Sequence, residues 1–153
     1  KNILKLKGKS LTEYAIDVGL KSKKISKLVI STDSEKIINI SKKKKVEFIK
    51  RPIKLSGGSV KIYDVLIHTL KKFKKKAEKF EYIVCLQPTT PLKTPKMIDE
   101  GIKKILKFNA DSLVSVYKVE DAHPARMYRI IRGELKPLIK KIQSENRQKL
   151  SNI

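Results

Sequence analysis

Polar side chains that can bind charged or hydroxylated ligands follow several apolar runs of this sequence. Arg51 and Gln87 each come after a run of strand length, and Ser31-Thr32-Asp33 and the Gly57-Gly58 loop occupy comparable positions. A guanidinium suits two-point recognition of phosphate or carboxylate, and an amide both donates to and accepts from hydroxyl groups. The residue types therefore indicate ligand binding by several loops.

Motifs for covalent or metal chemistry are weak. Gly8-Lys9-Ser10 imitates the end of a P-loop, but that motif needs a glycine five positions earlier, where Ile3 stands. His68 and His123 lack partners at metal-binding spacing, so a zinc site is not expected. Cys85, the only cysteine, lies in an apolar run and is predicted to be a buried core residue. The catalytic residues and the metal ligands stay unknown.

Local signals place these residues on an alternation of strands and helices. Ser10-Leu11-Thr12-Glu13 has the pattern of a capping box and predicts a helix from Leu11 to about Leu20. Apolar residues at helical spacing predict a long helix from Val60 to about Phe80. Pro95 suits the first position of another helix. Strands are predicted at residues 27–32, 46–49, 82–86 and 112–119. Residues typical of a helix start follow the first of these strands.

The alternation predicts an α/β fold with an open, mainly parallel, doubly wound sheet of the Rossmann-like kind. The continuous apolar run 82–86 is expected to be a central strand, covered on both faces. Ligands of such sheets bind beyond the carboxyl ends of the strands. Residues 31–33, Arg51, the Gly57-Gly58 loop and residues 87–91 are therefore expected to form one rim.

The charge comes mainly from lysine. The net charge is +22, and the 37 basic residues include the arginines Arg51, Arg126, Arg129, Arg132 and Arg147. The lysine runs 42–45 and 71–76 lack the arginine forks and interleaved aromatics typical of nucleic-acid surfaces, so nucleic-acid binding is disfavoured. No apolar run reaches the roughly 18 residues of a membrane helix, and no leader opens the chain. A cytoplasmic protein without a membrane partner is expected, and the absence of an initial methionine suggests a piece of a longer one.

The segment Leu86-Gln87-Pro88-Thr89-Thr90-Pro91-Leu92-Lys93-Thr94 resembles a segment of the acylneuraminate cytidylyltransferases, the CMP-sialic acid synthetases. Other resemblances follow in the family's order at residues 1–2, 29–33, 51–52, 55–56, 111–116, 123–124 and 146–148. The resemblance covers essentially the whole chain. It implies a nucleotide-sugar-transferase α/β domain over residues 1–122 and the start of a dimerisation and sugar-binding arm over residues 123–153.

The resemblance also implies roles for individual residues. Those implied for nucleotide binding are Lys1, Asn2, Arg51 and Ser59, and those implied for sugar binding are Gln87, Arg126 and Arg147. The implied reaction joins an acidic nine-carbon sugar, a nonulosonic acid, to CMP with CTP as donor and pyrophosphate as product. Magnesium and a homodimer are implied as well. The phosphate loop and the metal ligands are expected outside these residues, so the chain alone is expected to be inactive.

Other interpretations stay open at this point. A cytidylyltransferase of the ketodeoxyoctonate type would share the fold and CTP, although such relatives tend to place an acidic segment after the central strand. A basic nucleic-acid-binding module is suggested by charge alone. A third alternative is a non-catalytic fragment or relative that only dimerises.

Overall fold

A capping box begins the first helix, as the sequence predicts. In the computed structural model, which describes residues 1–74, 77–116 and 127–139, the Ser10 hydroxyl accepts from the Glu13 amide at 3.3 Å. The Glu13 carboxylate accepts from the Ser10 amide at 2.9 Å, which completes the box. Helix α1 then runs over Leu11–Lys21. A short antiparallel pair, β1 (Lys5–Leu6) and β2 (Lys9–Ser10), leads into it.

A β-α-β unit follows α1. Strand β3 (Val29–Thr32) pairs in parallel with β4 (Glu47–Lys50), and the register aligns Val29 with Glu47. Helix α2 (Glu35–Lys43) makes the crossover that parallel strands require. Both ligand-binding candidates Asp33 and Arg51 follow these strands, so the carboxyl ends of β3 and β4 bring them to one edge.

Two longer helices complete the described part of this region. A 3-10 turn (Ile53–Leu55) precedes α3 (Ile62–Lys74), which ends earlier than the sequence predicts. The chain turns away at Ala77, where φ is 59°. Helix α4 (Pro95–Phe108) has Pro95 in its first turn, as predicted, and the Thr94 hydroxyl accepts from the Met97 amide at 3.2 Å.

The buried hydrophobic side chains come from all four helices and from the residue just before β4. They are Ile16, Val18, Ile38, Val46, Val65, Phe73 and Ile105. A polar connection fastens α4 to the end of α1, because the Asp99 carboxylate accepts from the Ser22 hydroxyl and from the Lys23 and Lys24 amides. The described core is therefore a mixed α/β arrangement with small sheets.

The predicted strands at 82–86 and 112–119 differ from the structure. Within the described residues, neither 82–86 nor 112–116 forms a strand, and residues 117–119 lie outside that part. Tyr82, Ile83 and Val84 are 37–43% exposed, and Cys85 is exposed where a buried core residue was predicted. An apolar run becomes a strand only when another strand supplies its hydrogen-bond partners, and here Ile83 to Leu86 border a cavity.

The chain divides into two units, Lys1–Leu113 and Val114–Ile153. In the second, β5 (Tyr128–Ile131) pairs antiparallel with β6 (Glu134–Pro137). Arg132 and Gly133 form the connection with φ of 53° and 83°, the positive values of a two-residue hairpin turn. The sequence predicts no hairpin here, since arginine is a weak signal for that turn. No helix among the described residues is long and apolar enough to span a membrane.

Candidate functional site

A cavity of about 600 Å³ lies in the first unit, and it collects most of the predicted binding residues. Its walls come from α1, β3, α3 and the segment 83–89. Lys1, Asn2, Arg51 and Gln87 all contribute to the lining. The structure thus brings these residues around one space, and their roles in binding stay predictions.

The backbone of Asn2 is anchored at the start of α1. Its carbonyl accepts from the Thr12 amide at 3.1 Å and from the Thr12 hydroxyl at 2.9 Å. The carbonyl of Lys1 accepts from the Leu4 amide at 3.0 Å. These contacts fix the main chain beside the cavity, so the two residues do not behave as a frayed end.

Arg51 is held by two contacts at the carboxyl edge of the parallel strands. Its amide donates to the Thr32 carbonyl at 2.8 Å, and its guanidinium donates to the Asp33 carboxylate at 3.0 Å. The Arg51 side chain is 22% exposed and that of Asp33 is 47% exposed. The pair orients the guanidinium and engages one donor, which leaves further N–H groups for a ligand. Asp33 therefore orients the Arg51 guanidinium. It is not the N-cap residue of α2, which is Ser34.

The segment after Leu86 also lines the cavity. Gln87 is exposed at the cavity, and its carbonyl accepts from the Lys93 ammonium at 2.8 Å. The surrounding protein raises the pKa of the Cys85 thiol, and the nearby Lys93 charge only partly opposes that rise. Cys85 lines the cavity as a neutral thiol, which makes a poor nucleophile.

His68 lies on α3 among positive charges. Burial lowers its pKa, and Lys72, Lys54 and Arg51 lower it further. The imidazole Nδ1 is buried without a hydrogen-bond partner among the described residues. The sequence predicts no zinc site at His68, and its proximity to Arg51 could not be inferred because that arises from the tertiary fold.

Other predicted residues do not reach the cavity or cannot be placed. Ser59 is exposed and is not among the residues that line it. Arg126 and Arg147 lie outside the described residues. Lys42, Lys43 and Lys45 are exposed away from the lining, and so are Lys71, Lys72 and Lys74 of the second run.

The cavity has no carboxylate set suited to magnesium. Asp33 is the one carboxylate in the lining formed by described residues, and it is paired with Arg51. No group of three or more His, Cys, Asp or Glu side chains with metal-site geometry occurs in residues 1–74, 77–116 and 127–139. Mg²⁺ binds through oxygen ligands, and Asp33 is the one carboxylate that the described lining offers it.

Comparison with known proteins identifies the family of this chain. The sequence model of the family described as Cytidylyltransferase matches residues 1–132, which include every described residue that lines the cavity. The chain belongs to the cytidylyltransferase family. The resemblance found in the segment 86–94 is thereby confirmed at the level of the family.

Several curated relatives carry more specific names. N-acylneuraminate cytidylyltransferase of Escherichia coli O18:K1:H7 is 30% identical over 67% of this chain and 24% of its own length. CMP-N,N'-diacetyllegionaminic acid synthase of Legionella pneumophila is 30% identical over 76% of this chain and 50% of its own length. Pseudaminic acid cytidylyltransferase of Campylobacter jejuni is 25% identical over 78% of this chain and 52% of its own length. The chain thus spans between a quarter and a half of the cytidylyltransferases it matches.

Proposed function

We propose that this chain is the nucleotide-binding part of a cytidylyltransferase that activates an acidic nonulosonic sugar with CTP. The observation that carries the proposal is that Asn2, Arg51 and Gln87 line the same cavity. Relatives named for neuraminic, legionaminic and pseudaminic acids support this class of sugar. The choice among these acids is left to the experiment below.

The anchored residues suggest a division of the cavity. Arg51 projects from the strand edge with a fixed guanidinium, which suits a phosphate oxygen or the cytosine carbonyl of CTP. Asn2 is fixed at the start of α1, where its amide suits cytosine or ribose. Gln87 lines the same cavity on a different segment, where its amide suits sugar hydroxyl or acylamino groups. Lys1 supplies a further positive charge near the nucleotide.

In the proposed reaction, the anomeric hydroxyl of the sugar attacks the α-phosphorus of CTP. A new O–P bond forms, the bond to the pyrophosphate leaving group breaks, and the hydroxyl proton passes to solvent or to a base outside the described residues. The contribution of Arg51 is electrostatic, because a fixed cation opposite the phosphates stabilises charge without reorganising. No covalent enzyme intermediate is required.

Finer features of the whole protein are part of the same proposal. An open, doubly wound sheet would be completed around β3 and residues 82–86, over a domain that extends to residue 122. Residues 123–153 would begin an arm for dimerisation, with Arg126 and Arg147 gripping the sugar carboxylate and Ser59 near the nucleotide. Magnesium would be held by ligands other than the described residues. A cytoplasmic location would give access to CTP.

The proposal predicts CTP-dependent formation of a CMP-sugar by the whole protein. Incubation with CTP and neuraminic, legionaminic or pseudaminic acid should give a CMP-sugar and pyrophosphate, both detected by mass spectrometry. Arg51→Ala should weaken CTP binding by roughly tenfold or more in calorimetry, because a charge-assisted contact is lost. Arg51→Lys should recover only part of the affinity, since it keeps the charge but loses the planar fork.

Lys54→Ala is a matched control for the lost charge. Lys54 is exposed three residues away and does not line the cavity, so its replacement should leave CTP affinity nearly unchanged. An equal loss of CTP affinity in the two alanine variants would show that the effect comes from lost positive charge in general and not from a contact of Arg51. Turnover of ATP or GTP in preference to CTP, or of none of the three sugars, would contradict the proposed reaction.

A further inference from the structure

Two consecutive turns follow the apolar run 82–86 at the wall of the cavity. The first spans Gln87 to Thr90 and the second spans Thr90 to Lys93, with Pro88 and Pro91 in the second position of each. Proline is favoured there because its fixed φ matches the turn, and it holds the preceding residue in an extended conformation. Gln87 and Thr90, the first residues of the two turns, therefore have restricted backbones.

Lys93 joins these turns through a single ammonium group. Its Nζ donates to the Gln87 carbonyl at 2.8 Å and to the Thr90 carbonyl at 2.8 Å. The two acceptors are thus the carbonyls that begin each turn. The Thr90 amide donates to the Gln87 carbonyl at a longer 3.4 Å, so the lysine supplies the shorter contact in the first turn.

The environment of Lys93 differs from that of an ordinary surface lysine. The side chain is half-buried and forms no ion pair with a carboxylate among the described residues. Burial lowers the pKa of Lys93, the direction expected where carbonyl dipoles replace water around an ammonium. The two carbonyl contacts offset the cost of desolvating this charge. Among the described residues, no carboxylate counter-ion contributes.

We infer that Lys93 is a positioning residue that fixes the two turns and thereby aims Gln87 into the cavity. This inference rests on the proposed function, because Gln87 is the residue proposed to contact the sugar. Hydrogen bonds to a charged group are stronger than those between neutral groups, so the loss of both would allow the Gln87 backbone to move. The sugar side of the cavity would then lose preorganisation while the Arg51 side, on separate strands, would keep it.

Three variants of the whole protein test this role. Lys93→Met removes the ammonium and keeps an unbranched chain, whereas Lys93→Arg retains a charge and several donors. Lys96→Met is the matched control, because Lys96 lies three residues after Lys93 and the change in charge is identical. The Lys96 side chain is 85% exposed. Hydrogen exchange of residues 87–93 reports the turns, and steady-state kinetics report the KM for sugar and for CTP.

Lys93→Met should raise exchange of the Thr90 amide, which donates to the Gln87 carbonyl, by about tenfold or more, because both ammonium contacts that fix the turns are lost. It should raise the KM for sugar by a similar factor while the KM for CTP changes less than about twofold. Lys93→Arg should restore much of both losses. Lys96→Met should match the unmodified protein in both measurements.

Unchanged exchange and an unchanged sugar KM in Lys93→Met would overturn the inference. An equal rise in both KM values, with a thermal midpoint that falls well below that of Lys96→Met, would also overturn it by showing general destabilisation. If the unmodified protein forms no CMP-sugar, the proposed function fails, but hydrogen exchange still decides whether Lys93 fixes the turns.

Discussion

At the scale of single residues, the cavity is set apart by polar atoms that lack partners. Ser31 Oγ, Arg51 Nε and His68 Nδ1 are buried without a hydrogen bond among the described residues. A buried polar atom left unsatisfied costs about 1–3 kcal/mol. Ser31 and Arg51 line the cavity, so a ligand oxygen that reached either donor would offset that cost. These buried polar atoms therefore lack the hydrogen-bond partners that the core provides at Ser41, whose hydroxyl donates to the Val46 carbonyl at 2.6 Å.

His68 gives a prediction for the dependence of stability on pH. Its pKa is lowered in the folded protein by burial and by neighbouring cations, so the unfolded chain binds more protons once the pH falls below the ordinary value of about 6.5. Folding stability should consequently decrease as the pH falls from that value toward the folded pKa. Replacing His68 with Gln should reduce this decrease, as measured by urea unfolding at pH 7.5 and pH 5.5.

The variant retains His123, so the difference between the two proteins isolates His68. Parallel stability curves for both proteins across this pH range would show that His68 titrates alike in the folded and unfolded chain, contrary to the expectation.

At the scale of elements, the start of α1 is the clearest local signal and gives a stability prediction. Ser10→Ala removes the hydroxyl that accepts from the Glu13 amide, and it should lower the free energy of unfolding by about 1 kcal/mol. Chemical denaturation measures this change. Ser26→Ala replaces an exposed serine outside the helices and should change stability by less than about 0.5 kcal/mol. Equal effects in both variants would show that the cap does not stabilise α1.

The elements predicted correctly are those whose information is local. The capping box before α1 and Pro95 at the start of α4 each depend on residues within a few positions of one another. In the β-α-β unit each strand and the helix has its own local pattern, although β3 and β4 pair across the crossover. The run 82–86 has strand composition, but a strand needs neighbours that local sequence does not specify. The hairpin at Arg132-Gly133 was missed for the opposite reason, because its turn uses an unusual residue.

The candidate site follows the same division. Arg51 and Gln87 line one cavity, as expected, but the strand-end rule accounts only for Arg51, because residues 82–86 form no strand. The Arg51–Asp33 pair and the double contact of Lys93 could not be predicted, because each depends on side-chain geometry across a turn.

At the scale of the whole molecule, charge and site are separated. The net charge is +22, yet the exposed lysines 42, 43 and 45 do not line the cavity, where Arg51 is held by Asp33. A surface of this kind attracts polyanions without reading their sequence, and such attraction weakens with salt because binding releases counterions. Nucleic-acid binding, where it occurs, should therefore be an electrostatic property distinct from CTP binding.

This separation predicts opposite effects for two sets of changes. Replacing Lys42, Lys43 and Lys45 with glutamate should weaken binding to an arbitrary DNA duplex and reduce the slope of log affinity against log salt by about 1 for each lysine that contacts phosphate. The same variant should keep its CTP affinity, since these residues lie away from the cavity. Arg51→Ala should lower CTP affinity and leave DNA binding nearly unchanged. Fluorescence anisotropy with labelled DNA at several salt concentrations, beside calorimetry with CTP, measures both. A loss of DNA binding in Arg51→Ala, together with loss of CTP affinity in the lysine variant, would mean that one continuous basic surface serves both ligands.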